Sequence, residues 1–140
     1  MQLRTEIDIA ASPAKIWDVL TDFRAYPEWN PFIVSISGRA TVGEHLSVVI
    51  SPPEQSEMRF EPVVLRADPG VELRWRGTLW FRWLFTGEHF FRLETREPRV
   101  TRFTHGEDFS GWALRFLPMT HTARGFVFMN QALKQRVESL

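Results

Sequence analysis

The sequence predicts an α+β fold: a seven-stranded, curved antiparallel sheet wrapped around a long C-terminal helix, with two short helices between the first and second strands. Three observations carry this expectation. Residues 2–11 and most of 32–110 alternate apolar and polar with period two, in runs separated by short turns. From Met119 onward the apolar period changes to alternating steps of four and three. A single sheet must cover its apolar face, and only the last helix is long enough to do so.

In the first strand Leu3, Thr5, Ile7 and Ile9 share one face, and Gln2, Arg4, Glu6 and Asp8 the other. Ser12-Pro13 reads as an N-cap followed by proline at the first helical position. That helix runs to about Leu20 with Ile16, Trp17, Val19 and Leu20 as its apolar face. Asp22 opens a second short helix, which Tyr26-Pro27 is expected to end, because a residue before proline avoids the helical region. The remaining strands are expected at Phe32–Ser37, Leu46–Ile50, Met58–Arg66, Val71–Leu79, Phe85–Thr95 and Val100–Ser110. Pro52-Pro53, Asp68-Pro69-Gly70 and Arg96-Glu97-Pro98-Arg99 supply breaks and turns between them. Pro62 inside its strand predicts an edge or a bulge. Met119, Ala123, Phe126, Asn130, Leu133, Val137 and Leu140 form the stripe of the long helix, and Gly125 beside it permits a close approach.

Residues 1–140 form one domain by length. Apolar residues are 44% and charged residues 24%, which is globular rather than disordered composition. The 17 basic and 17 acidic residues cancel, and the arginines lie among acidic neighbours, so no basic stripe for phosphates exists and no nucleic-acid partner is expected. The absence of cysteine excludes disulfides, thiolate nucleophiles and cysteine metal sites. Neither a Gly-rich phosphate loop nor a nucleophile elbow around Ser47 or Ser110 is present. The opening MQLRTEIDIAAS lacks an apolar run with basic flanks, and no stretch approaches the ~20 apolar residues of a membrane span. A cytoplasmic protein without stable membrane insertion is therefore expected, either monomer or homodimer, with no cofactor.

SPAKIWDVLTDFRAYPEWNPFI at 12–33, FEPVVLRADPGVELRWRG at 60–77, FTGEHFFRLE at 85–94, RFTHGEDFSG at 102–111 and GFVFMNQALKQRVE at 125–138 follow one another in this order over nearly the whole chain. Together they resemble the START-like, Bet v 1-like superfamily of helix-grip proteins, also called SRPBCC or polyketide cyclase/dehydrase-like. The resemblance implies a sheet gripping the C-terminal helix and an internal cavity for a small apolar ligand, of lipid, quinone or polyketide type. The superfamily includes lipid carriers, plant allergens, aromatase/cyclases and ubiquinone-binding proteins, so the resemblance leaves binding, catalysis and carriage open.

Aromatic residues are 14% of the chain, more than a core of this size needs. With strand parity, this surplus predicts that Phe60, Val64, Trp75, Phe91, Phe103, Phe109, Phe126 and Met129 border one internal void. Parity also sets Trp75 inward with Val71, Leu73 and Leu79. Asn130 is polar on a buried stripe and needs a partner, for which a ligand, His105, a backbone carbonyl or water are candidates. His89, Phe91 and Leu93 share one face of their strand, and Thr101, Phe103, His105, Glu107 and Phe109 share one face of the next, while Phe90 breaks the outer pattern. A hairpin at Glu97-Pro98 sets His89 opposite His105 or Glu107, depending on register. These three ionisable groups are either an acid–base centre for a cyclase or dehydratase, or a satisfied polar cluster. Two His and one Glu make a metal site chemically conceivable, but no helical ligand spacing supports it. TLWFRWLF at 78–85 reads as a cavity rim, as a dimer or other partner interface, or as a point of membrane touch, and FSGWALRFLPM at 109–119 as a lid or as plain helix packing.

Overall fold

The computed structural model describes residues 1–78, 86–111 and 119–140. In chain order the elements are β1 (Gln2–Ile9), α1 (Pro13–Thr21), a 3-10 turn (Phe23–Ala25), α2 (Tyr26–Trp29), β2 (Ile33–Ser37), β3 (Ser47–Ile50), β4 (Met58–Phe60), β5 (Val63–Asp68), β6 (Glu72–Thr78), β7 (Thr86–Glu97), β8 (Val100–Ser110) and α3 (Thr120–Glu138). The architecture is the expected α+β helix-grip. The expected segments 79–85 and 112–118, including most of the aromatic run after Thr78 and of the stretch before the long helix, lie outside the described residues.

Two ladders build the sheet, β1-β8-β7-β6-β5 and β2-β3-β4, all antiparallel. The strand expected over Met58–Arg66 is two strands, because Pro62 has no N–H for the ladder and the chain bends there. The bend does not cut the surface. Leu46 N donates to Pro62 O at 2.9 Å, Gly43 N to Val64 O at 2.9 Å and Val64 N to Glu44 O at 3.0 Å, so residues 43–46 stitch the two ladders together.

Ser12 caps α1 as expected, its hydroxyl accepting from Lys15 N at 3.2 Å with Pro13 at the helix start. The next turn differs from expectation. Tyr26-Pro27 begins α2 instead of ending a helix, since proline in a first turn lacks an N–H that would have no helical partner anyway. Tyr26 is fully buried, its hydroxyl donates to Leu20 O, and this anchorage outweighs the usual aversion of a pre-proline residue to helical backbone. Asn30 then turns the chain into β2. Its buried Oδ1 accepts from Phe32 N at 2.9 Å and Ile33 N at 2.8 Å.

α3 lies across the concave face and buries Phe126, Met129, Asn130, Leu133 and Val137. Leu140, expected on this stripe, is exposed because the helix stops at Glu138. Val71, expected inward, is exposed as well. Its N–H closes the Asp68-Pro69-Gly70 turn onto Asp68 O at 2.9 Å, with Gly70 at φ +74°, so β6 begins one residue later. On the convex face Phe90 is buried under the guanidinium groups of Arg74 and Arg92, at 4.7 and 5.1 Å from its ring centre. Its cross-strand partner Gly106 leaves room for the ring, which explains the break in alternation. Glu72 is buried beside it and accepts from Arg92 Nε at 2.9 Å and Arg74 Nε at 3.1 Å.

Two stability predictions follow from this packing. The Phe126 ring is fully buried, stacked on His105 at 4.0 Å and edge-on to Phe32 at 5.4 Å. Phe126→Ala is expected to cost about 3–5 kcal/mol in denaturant melts, and a cost under about 2 kcal/mol would mean that the ring faces solvent-filled space. The Phe32 ring lies directly on Gly125, where a Cβ would overlap it. Gly125→Ala is therefore expected to destabilise by roughly 1–3 kcal/mol despite alanine's better helix propensity, and a stabilised variant would refute the close approach.

Candidate functional site

Three neighbouring strands and α3 converge on one polar chain inside the apolar core. The register pairs Trp75 with His89, His89 with Glu107 and Phe91 with His105, while β1 sets Thr5 opposite His105. All of these side chains except Phe91 and Trp75 join or adjoin hydrogen bonds that run in sequence. Glu107 Oε1 lies 2.7 Å from His89 Nδ1, and His89 Nε2 lies 2.7 Å from His105 Nε2. His105 Nδ1 lies 2.9 Å from Asn130 Oδ1, Asn130 Nδ2 donates to Thr5 Oγ1 at 2.8 Å, and Thr5 Oγ1 donates to His105 O at 2.9 Å.

The last link sets the direction of every other. A backbone carbonyl only accepts, so the Thr5 hydroxyl donates and must accept from the Asn130 amide N–H. That orients the Asn130 oxygen towards His105 and places a proton on His105 Nδ1. A neutral His105 then has a bare Nε2, which accepts from the N–H at His89 Nε2. His89 Nδ1 is left bare in turn and accepts from a protonated Glu107. The polarity of the chain thus calls for a neutral carboxylic acid at its outer end.

Electrostatics points the same way. Burial pushes Glu107 up to about 8, with the neighbouring Asp108 charge adding to the effect. Burial brings His89 down to about 3. It also holds His105 well below the ordinary range, reinforced by His89, although its bonds at Asn130 and Phe126 act in the opposite sense. Rings surround the pair closely: Trp75 stacks on His89 at 5.3 Å, and Phe126 on His105 at 4.0 Å.

A cavity of about 170 Å³ opens between the two ladders and the start of α3. Of the residues expected around a void, Phe60, Trp75 and Phe109 line it, together with His89 and Glu107. Val64, Phe91, Phe103, Phe126, Met129 and Asn130 do not. They are closed into the core instead. Asn130 instead has His105 and Thr5 as its partners. His105 is fully buried behind His89 and does not reach the cavity. The sequence reading missed Phe32, Ile33, Ile50 and Met58 from the β2–β4 ladder, Gln55 before it, and Met119 and Thr122 at the helix start. It also missed Gly77 and Gly87, cross-strand partners on β6 and β7 that line the cavity. Glycine inside a strand signals a close approach, and here the approaching group is Glu107, whose Oε2 occupies the space over Gly87. The Trp75 indole N–H has no partner among the described residues. No group of three or more His, Asp or Glu side chains among the described residues is arranged to hold a metal ion.

The shifted groups predict a pH profile of stability. A group whose folded value is raised loses its stabilising effect as pH climbs from its unfolded to its folded value; for Glu107 that interval runs from 4.5 to about 8. The two histidines, lowered from 6.5, lose theirs as pH falls below that point. Between pH 4.5 and 6.5 two histidines outweigh one carboxyl, and above 6.5 Glu107 acts alone. Stability is therefore expected to peak near pH 6.5 and to fall by on the order of 1–2 kcal/mol by pH 8. Melts across this range check it: Glu107→Gln is expected to flatten the alkaline limb, and an unchanged slope in that variant would assign the loss elsewhere.

No match was found among curated proteins. The fold is shared with a START superfamily protein from Mycobacterium smegmatis, at TM-score 0.75 and 22% identity, covering 99% of this chain and 97% of that one. A protein from Rhodobacter sphaeroides superposes at TM-score 0.78 and 17% identity, over 99% and 92% of the two chains. Norcoclaurine synthase from Thalictrum flavum, solved with dopamine and hydroxybenzaldehyde, superposes at TM-score 0.75 and 13% identity, over 99% and 87%. Residues 1–138 match the family described as polyketide cyclase / dehydrase and lipid transport. With a matching sequence over almost its full length and an apolar cavity between sheet and helix, the chain belongs to that family.

Proposed function

We propose that this protein binds a small, mostly apolar molecule in the cavity between the β2–β4 ladder, the β6–β8 strands and the start of α3. One observation carries this reading. The wall is built on Phe32, Ile33, Ile50, Phe60, Trp75 and Phe109, and few polar side chains are set into it: the carboxyl of Glu107, held by His89, with Gln55, Thr78 and Thr122. Apolar walls with few oriented polar groups are the usual make-up of a small-molecule site. A volume of about 170 Å³ suits a single substituted ring, since an apolar cavity of ~150 Å³ takes up benzene.

A second reading, an acid–base enzyme of the cyclase or dehydratase kind, draws support from the polar chain that ends at the cavity. In that reading Glu107 takes a proton from the bound molecule at Oε2 while its Oε1 proton passes to His89 Nδ1, and the imidazolium formed is held by the lone pair of His105 Nε2. Of the polar chain, Glu107 is then the member that offers the substrate a free atom. Both nitrogens of His89 are engaged, and His105 and Asn130 act as positioning residues behind it.

Calorimetric titration with toluene tests the binding reading. Uptake with a negative heat-capacity change is expected. Thr122→Trp, which places a ring at the helix side of the cavity, is expected to weaken it at least tenfold with the circular dichroism unchanged. No heat of binding from toluene or any other single-ring hydrocarbon would remove the reading.

A further inference from the structure

The direction of the hydrogen-bond chain assigns a chemical preference to the cavity, and this inference rests on the cavity being a binding site. Starting from the His105 carbonyl, each donor and acceptor is determined in turn up to Glu107, whose Oε1–H is directed at His89 Nδ1. The second oxygen, Oε2, lies over Gly87 on the cavity wall. In a carboxylic acid that gives its proton to His89, Oε2 is the carbonyl oxygen, an acceptor. Were the proton to sit on His89 instead, Oε2 would belong to a carboxylate and would still accept. Turning Glu107 so that its O–H faces the cavity would leave His89 Nδ1 bare against a carbonyl oxygen. Turning the whole chain round would leave the His105 carbonyl without its Thr5 donor. Every arrangement that satisfies the chain thus presents an acceptor to the bound molecule.

We propose that the cavity selects uncharged, ring-sized molecules that carry a hydroxyl or N–H donor, which Glu107 Oε2 receives, over their ether counterparts and over carboxylates. A ligand carboxylate at this place would meet an acceptor oxygen, with no cation among the residues lining the described cavity to offset its charge. An ether placed against Oε2 would bury it without a donor, which costs a hydrogen bond that water had supplied. Gly87 is part of the device. Any side chain there would displace Oε2 from the wall.

Phenol, anisole and benzoate test the preference by calorimetric titration near pH 6.5, with toluene as the apolar reference. Phenol is expected to bind about tenfold or more tightly than anisole, and benzoate more weakly than toluene. In Glu107→Leu the phenol preference is expected to vanish while toluene still binds. Glu107→Gln is expected to restore it, because a glutamine can donate through its amide N–H to His89 and turn its oxygen to the cavity. Equal affinities for phenol and anisole in the native chain overturn the preference but leave the cavity as a binding site, and tighter binding of benzoate than of toluene does the same. A preference that Glu107→Gln fails to restore overturns the assignment of the acceptor to a neutral acid. Absence of binding by all four compounds overturns the binding site, and the preference with it.

Discussion

The contact between α3 and the concave face of the sheet is the constraint on which the rest of this structure depends. A sheet with one apolar face must be covered, and here a single helix covers it. Gly125 lets the Phe32 ring lie on the helix backbone, and Phe126 fills the space between Phe32, His89 and His105. Further along the helix Phe91, Phe103, Met129 and Leu133 are fully buried in the core. Where the helix begins, at Met119 and Thr122, the two ladders stand apart and the cavity remains. The cavity is therefore the wedge left by one closely packed and one open end of the same contact.

Into this core the fold builds a row of polar groups, each of which would be costly alone. The row is tolerable because none is left unpaired: Thr5, Asn130, His105, His89 and Glu107 satisfy one another in a single direction. The same arrangement joins four elements, β1, α3, β8 and β7, so it also fixes how the helix sits on the sheet. Its outer end, Glu107 with His89 beside it, meets the cavity. The chemistry available to a bound molecule is thus decided by a hydrogen bond made on the far side of the core, between a threonine hydroxyl and a backbone carbonyl.

The convex face solves a different problem with opposite means. Glu72 and Phe90 are buried there by arginines that lie across them, with Arg74 also reaching Glu88 at 3.2 Å and Asp108 at 3.1 Å. Stems and guanidinium planes cover apolar surface while keeping charge near water. This layer spans β6, β7 and β8 and includes Asp108, whose charge adds to the upward push on Glu107. It keeps β6, β7 and β8 in the register that sets Trp75, His89 and Glu107 side by side.

Much of this was legible in the sequence because it depends on periodicity. Alternation placed His89, His105 and Glu107 on one inward face, and the four-three stripe identified the helix that covers them. Proline and glycine marked the turn at Asp68-Pro69-Gly70, whereas Pro62, expected as an edge or a bulge within one strand, divides it into two. Local rules failed where burial outweighed them, as at Tyr26-Pro27, where an anchored ring holds a pre-proline residue in a helix. The register that chose Glu107 over His105 as the partner of His89 was open in the sequence, since parity leaves positions two residues apart equivalent. Which aromatic rings pack the core and which line the cavity was equally open, because parity assigns a face but not the distance between that face and the helix. That distance, and the direction in which protons are held along the chain, belong to the tertiary structure alone: both are set by contacts between residues a hundred or more positions apart, such as Thr5 with His105 and Asn130.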